Sequence, residues 1–469
     1  MSLIHEHSCE CSLSPLEWFH ILPTQTAVEK TSDVEYQSLT SLKNNAPVEF
    51  YIPPSTEDYC DLKNSKLFFS FRIINTDNSN CGAGDFVVPI NDIFNGLWGN
   101  VELFMNDRLI SHSNNTHSYT SMISHLIHDS EESLHSDRSL RLLTKDTAGQ
   151  MNCLDPTKEN MFERIKGFHN NETRLVLNNV GDAVIPEVIE NPGNNGLYNR
   201  FLHSRASKKV SVMGSLCIPM FEQERYLPNG VSLKLRFHRQ RDPFTMMTDG
   251  GSVYKIDVQE AYMLMRKVKP TPGVLLGHTE ALLSTPAKFP ITRKETKVIA
   301  LARDVSTFVK DNIFLGQLPK RVIIAMVDSS AFAGNKHLNP YNFEHMDVNF
   351  MQLYTDGAPV RCKPLQPDIE AGDYLQCYET LYRGFDKLDG TKSSIIKRED
   401  WDKGYSLFAF DLTPDYDDED HYPIIKHGNL RLEINFATAL SKAINILVYA
   451  EFDNIIEITN NRNIQIDYV

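Results

Sequence analysis

The stretch Val231-Ser232-Leu233-Lys234-Leu235-Arg236-Phe237 decides the fold, because every second residue in it is apolar. Successive side chains of a β-strand point to opposite faces, so Val231, Leu233, Leu235 and Phe237 share one face and Ser232, Lys234 and Arg236 the other. Such a strand has one side in a core and one in water. Asn229-Gly230, a hairpin-turn signal, precedes it. Apolar runs at residues 215–220 and 254–265 flank it. The same plan returns near the other end: residues 406–412 are apolar, Leu430–Phe436 alternates after Gly428-Asn429, and residues 444–452 complete a second trio. Few side chains match between the trios, so what repeats is architecture: two β-sandwiches in one chain.

The totals agree with that plan. A chain of 469 residues is too long for one compact core, and two domains of about 200 residues each are expected. Hydrophobic content of 41% and charged content of 23% describe a folded chain and not a disordered one. A net charge of -14 argues against a groove for nucleic acid, which needs clustered Lys and Arg. The basic residues that come closest to a patch are Lys208, Lys209, Arg236, His238, Arg239 and Arg241. No apolar stretch reaches the eighteen residues a membrane span needs, and Met1 to Cys11 carries His, Glu and Cys where an export signal needs an apolar core. Eight scattered cysteines fit reduced thiols inside a cell.

Along the chain, residues 1–45 form a polar N-terminal arm. Strands are expected at Val48–Ile52 and at residues 67–74, 86–90 and 101–110, the last turning at Asn106-Asp107. Met122, Ile123, Leu126 and Ile127 recur at helical spacing behind a possible cap at Thr116 or Ser118. Residues 144–205 are polar and read as a large surface loop, part of an excursion over about 111–205. Pro270, Pro272, Gly273 and Gly277 mark a linker, set at 270–288. The domains are therefore 46–269 and 289–469. The second opens with strands at 297–302 and 321–327, and has turns at Asp356-Gly357 and Asp389-Gly390.

Several segments together resemble a known family. Glu49-Phe50-Tyr51-Ile52-Pro53 and Tyr59-Cys60-Asp61-Leu62 are similar to the opening of double jelly-roll major capsid proteins, above all the hexon proteins of Polinton (Maverick) elements and adintoviruses. Pro23-Thr24-Gln25-Thr26, Lys145-Asp146-Thr147-Ala148-Gly149, Gly214-Ser215-Leu216, Phe221-Glu222-Gln223 and Leu227-Pro228-Asn229-Gly230-Val231 follow in order. So do Gly316-Gln317-Leu318-Pro319-Lys320-Arg321, Asn339-Pro340-Tyr341-Asn342-Phe343 and residues 445–454. Leu16-Glu17-Trp18-Phe19 departs from the pattern by its Trp. The resemblance implies an all-β fold of two consecutive eight-stranded jelly-roll β-sandwiches, with a few short helices in loops. It also implies a non-enzymatic homotrimer: a pseudo-hexameric capsomer that self-assembles into an icosahedral shell inside the host cell. Partners would be neighbouring capsomers, penton and minor capsid proteins, with no cofactor, no sequence-specific nucleic acid and no membrane span.

Candidate chemistry is sparse. His5, His7, Cys9 and Cys11 form a soft ligand set on one face of an extended segment, though their spacing is tighter than structural zinc sites use. His112, His117, His125, His128 and His135 crowd the helix region; they fit either a pH sensor or a solvated helix face. Asp415, Asp417, Asp418, Glu419 and Asp420 offer calcium oxygens without the spacing of an EF-hand loop. Cys81-Gly82-Ala83-Gly84-Asp85 reads as a hairpin turn, and Asn114-Asn115-Thr116 and Asn171-Glu172-Thr173 as chance glycosylation matches. Nucleophile-elbow, zinc-helix and phosphate-loop motifs are absent from the sequence. The alternative to a capsid protein is a double β-sandwich glycan-binding or adhesion protein, which needs exposed Trp or Tyr platforms. A jelly-roll hydrolase would need two facing carboxylates.

Overall fold

The computed structural model describes residues 15, 18–19, 21–43, 46–82, 84–154, 176–177, 183–184, 193–251, 253–384, 394–414 and 422–467. Besides the short pairs Val87–Pro89 with Met246–Thr248 and Val176–Leu177 with Ala183–Val184, eight described strands build the two main sheets of the first half: β1 Val28–Gln37, β2 Val48–Ile52, β3 Tyr59–Asn75, β4 Trp98–Met105, β5 Arg108–His112, β6 Val210–Gly214, β7 Leu233–Arg239 and β8 Tyr254–Pro270. Eight more build the second: β9 Ala287–Leu301, β10 Thr307–Lys310, β11 Arg321–Asp328, β12 Val348–Thr355, β13 Ala358–Pro359, β14 Leu407–Asp411, β15 Leu430–Phe436 and β16 Ile444–Ile458. The first half stacks sheets of order β1-β8-β3-β6 and β2-β7-β4-β5; the second stacks β9-β16-β11-β14 and β10-β15-β12-β13. Adding eight to each label of the first half gives the second. This strand order, antiparallel throughout, is the jelly roll, so the chain is a double jelly roll.

Alternation in β7 does what its sequence asks. Leu233, Leu235 and Phe237 are fully buried while Lys234 and Arg236 are half-exposed. Leu235 pairs with Phe50 on one side and Leu103 on the other. Phe237 meets Phe50 edge-on at 5.9 Å and Trp98 at 5.1 Å, and Trp98 reaches Phe69 of the opposite sheet at 5.6 Å. The two sandwiches turn alike as well. Asn106 and Asp107 join β4 to β5 with φ of 46° and 62°, and Asp356 and Gly357 join β12 to β13 with φ of 50° and 83°. Two consecutive left-handed residues match the twist of a tight hairpin, hence the Asn, Asp and Gly.

Some expected segments differ. Within residues 1–45, taken as an arm, Val28–Gln37 is β1 and pairs along β8. The apolar run at 215–220 is not a strand: β6 ends at Gly214, and Pro219, favourable in the first turn of a helix, opens the short helix Pro219–Glu222. Among the described residues four longer helices occupy the loops: α1 His117–His128, α2 Asn195–Ser204, α3 Pro272–Ser284 and α4 Leu375–Arg383. The linker at 270–288 is mostly α3, begun by Pro272, and Ala287 already belongs to β9. Thr116 precedes α1 but caps nothing, since its hydroxyl donates back to Ser113 O at 2.7 Å. In the excursion over 111–205, most of α1 and Arg200 of α2 are buried, while Glu132, His135, Ser136, Asp137, Ser139 and Leu140 are exposed. Asp389-Gly390 lies outside the described residues.

Candidate functional site: the seam between the sandwiches

The richest chemistry lies where α1, inserted between β5 and β6, meets the second sandwich. Tyr119 is buried by Phe332, stacked at 5.3 Å, and by Phe244 and Tyr341, both edge-on at 5.7 Å. Along β9, Thr120 and Thr296 share a hydroxyl hydrogen bond at 2.8 Å, and Lys294 Nζ donates to Ser124 Oγ at 2.9 Å. His128 Nε2 stands 3.1 Å from Glu451 Oε1 on β16. Glu451 is fully buried and also accepts from the Tyr449 hydroxyl at 2.6 Å. Burial alone would raise its pKa, but the hydrogen bond and charge of His128, with Lys294 and Tyr449, hold it well below the usual carboxylate range. Lys294 pairs with Glu222 at 2.7 Å, which outweighs the effect of burial and raises its pKa. Burial pushes the nearby Cys217 thiol up to about 12.

A second group sits behind these. His125 Nδ1 lies 2.8 Å from Asp129 Oδ2, while Arg141 and Asn95 approach Nε2 at 3.2 and 3.3 Å. Arg138 holds Asp129 at 2.6 Å, and burial raises the pKa of Asp92. A pocket of about 370 Å³ opens here, lined by His128, Arg138, Lys294 and Arg321 among others.

The segments that carry the family resemblance meet each other in space. Asp146 of Lys145-Asp146-Thr147-Ala148-Gly149 pairs with buried Arg200 at 3.0 Å, and Asn339 of Asn339-Pro340-Tyr341 donates to the same carboxylate at 2.9 Å. Gln317 donates to Asp453 O at 3.0 Å and accepts from Asn454 at 3.0 Å. Cys60 and Leu227 exchange backbone hydrogen bonds at 2.9 and 2.8 Å. These segments are the joints of the fold. Their pairing was invisible in sequence, because turn residues carry no periodicity.

The individual candidates divide. His5, His7, Cys9 and Cys11, and likewise Asp415 to Asp420 and Asn171, lie outside the described residues. Among the described residues no group of three or more His, Cys, Asp or Glu is placed to hold a metal ion. The five histidines do not share a solvated face: His117 and His125 are buried, and His112, His128 and His135 are exposed. Burial lowers His117 to a pKa of about 4. Of the basic candidates, Arg236 bonds Glu49 at 2.7 Å and Glu102 at 3.3 Å, His238 faces Glu102, and Lys209 pairs with Glu260. Arg239 donates to Leu42 O, so these four are each engaged, while Lys208 and Arg241 are exposed. Thr116 of the Asn114 acceptor triplet is buried. Trp98 and Trp401 are buried too, so neither is a sugar platform; Trp18 is 79% exposed. Among the described residues no helix is long and apolar enough to cross a membrane.

Comparison with known proteins agrees with this architecture. No family model matches the chain. An uncharacterized protein of Caenorhabditis elegans, F54H12.2, is 21% identical over 459 residues, covering 95% of this chain and 99% of its own length. A chain of the Sputnik virophage structure superposes with a TM-score of 0.63 at 13% identity, over 99% of this chain and 94% of that one. The Faustovirus major capsid protein gives 0.56 at 8% identity, over 95% and 94%. The mavirus major capsid protein gives 0.54 at 11% identity, over 100% and 97%. At such identities what is shared is the double jelly-roll fold.

Proposed function

We propose that this chain is a major capsid protein of the Polinton or adintovirus kind, with a structural and not a catalytic role. Three copies form a pseudo-hexameric capsomer, and capsomers build an icosahedral shell inside the host cell, joined by penton and minor capsid proteins. The named solved structures support the reading by fold; the observation that carries it is an asymmetry between two equivalent edge strands. In the second sandwich the edge strand β9 is covered by α1 and the short helix Pro219–Glu222 of the first, and only Lys288 and Ala300 of it are exposed. Its counterpart β1 has eight of ten residues exposed, so an equivalent cover is missing among the described residues. The second sandwich of another copy supplies it. Repeating the same head-to-tail contact closes a ring of six sandwiches from three chains, with only a threefold axis real. Such an obligate interface should bury more than about 2,000 Å².

Electron microscopy of the purified protein in negative stain tests this. Hexagonal capsomers or closed shells are expected; isolated two-lobed particles would reject it.

A further inference from the structure

Cys60 on β3 and Lys267 on β8 stand directly opposite each other in the strand register. The register shifts between Leu264 and Arg266, where Ser65 Oγ takes a hydrogen bond from Arg266 N, and Lys267 continues the inward alternation of Ala261, Met263 and Met265. Both side chains are cut off from water: Cys60 is 4% and Lys267 6% exposed. Lys267 Nζ lies 3.1 Å from Cys60 Sγ. Among the described residues Lys267 forms no ion pair with a carboxylate, so the sulfur is the polar partner of a buried amine. A buried ammonium without a counter-charge is costly, and an isolated structural lysine here would gain nothing that Leu or Met would not.

We propose that Cys60 and Lys267 are an oxidation-dependent cross-link site, closing an S–N bond when the protein meets a hydroperoxide. Burial pushes the Cys60 thiol up while the Lys267 charge opposes this. Once the thiol proton passes to the amine nitrogen 3.1 Å away, the thiolate attacks one peroxide oxygen and the O–O bond breaks. The sulfur is oxidised by two electrons to a sulfenic acid, and the departing hydroxide takes a proton from the ammonium and leaves as water. The freed amine lone pair then attacks sulfur. The S–O bond breaks, and its hydroxide leaves with an amine proton as a second water. The sum is thiol, amine and hydrogen peroxide giving a sulfenamide and two waters, the condensation that sulfenic acids undergo with a neighbouring nitrogen. The bond would tie the two central strands of one sheet and enclose nearly the whole first sandwich. Thiol reductants keep it open inside a cell, and it sets after release.

The test is mass spectrometry of the full-length protein, treated with graded hydrogen peroxide and digested without reductant. The expected product is the Cys60 and Lys267 peptides joined, at their summed mass less two hydrogens, and separated again by dithiothreitol. In Lys267→Arg the joined species is absent and Cys60 accumulates as sulfenic acid, trapped by dimedone. Three results would overturn the proposal: wild-type Cys60 stopping at sulfenic or sulfinic acid, Cys60 staying reduced after exposed Cys362 is fully oxidised, or a joined peptide one oxygen heavier.

Discussion

Asn339 of the second sandwich donates to Asp146 Oδ2 of the first at 2.9 Å, closing a carboxylate already held by Arg200 at 3.0 Å. Arg200 is 0% exposed, and its Nε donates to Pro89 O at 3.1 Å. Breaking this pair strands a charge. Asp146→Ala should cost about 3–5 kcal/mol in equilibrium denaturation, and replacing both Asp146 and Arg200 by apolar residues should recover most of it. Equal costs for the single and double variants would show that the pair does not act as a unit.

Leu235 tests the sandwich core. It is fully buried between Phe50 and Leu103, so Leu235→Ala should lose about 2–5 kcal/mol, and Lys234→Ala on the outer face under about 1 kcal/mol. The comparison is made by urea midpoints.

Acid should loosen the seam. His117 titrates near 4 when folded against 6.5 when free, so its neutral form is the one the fold accepts. Its contribution is whole above pH 6.5 and is lost as pH falls towards 4, roughly 3 kcal/mol in all. Glu451, whose folded pKa is depressed, adds stability that is present above its unfolded value of 4.5 and drains away below it. Thermal melts from pH 7 to 4 should therefore fall, and His117→Gln should flatten the slope between 6.5 and 4. An unchanged slope would remove His117 from the account.

The C-terminal tail is pinned by Arg462, whose guanidinium donates to Asn229 O at 2.7 Å and Asn229 Oδ1 at 2.8 Å. Asn106 donates to Arg462 O at 2.8 Å. Arg462→Ala should cost about 1 kcal/mol globally and speed amide hydrogen exchange in Ile464–Ile466 first, because the loss is local.

Much of this was legible in the residues. Val48–Ile52 is a short apolar run and Leu430–Phe436 alternates, and both are strands as those patterns set them. β1 was not legible: Val28–Gln37 is mostly polar, and of its residues Tyr36 packs against the core while eight are exposed. Helix α3 was hidden by Pro272 and Gly273, turn signals that also suit a first helical turn. The seam could not be read at all. His117 and His128 lie on one helix, one buried and one exposed, and helical spacing alone does not say which.

Sedimentation of the purified protein at micromolar concentration puts the central claim to the most direct test. One chain weighs 53.5 kDa. A single species of three times that mass is what the account predicts, and a stable one-chain species would contradict it.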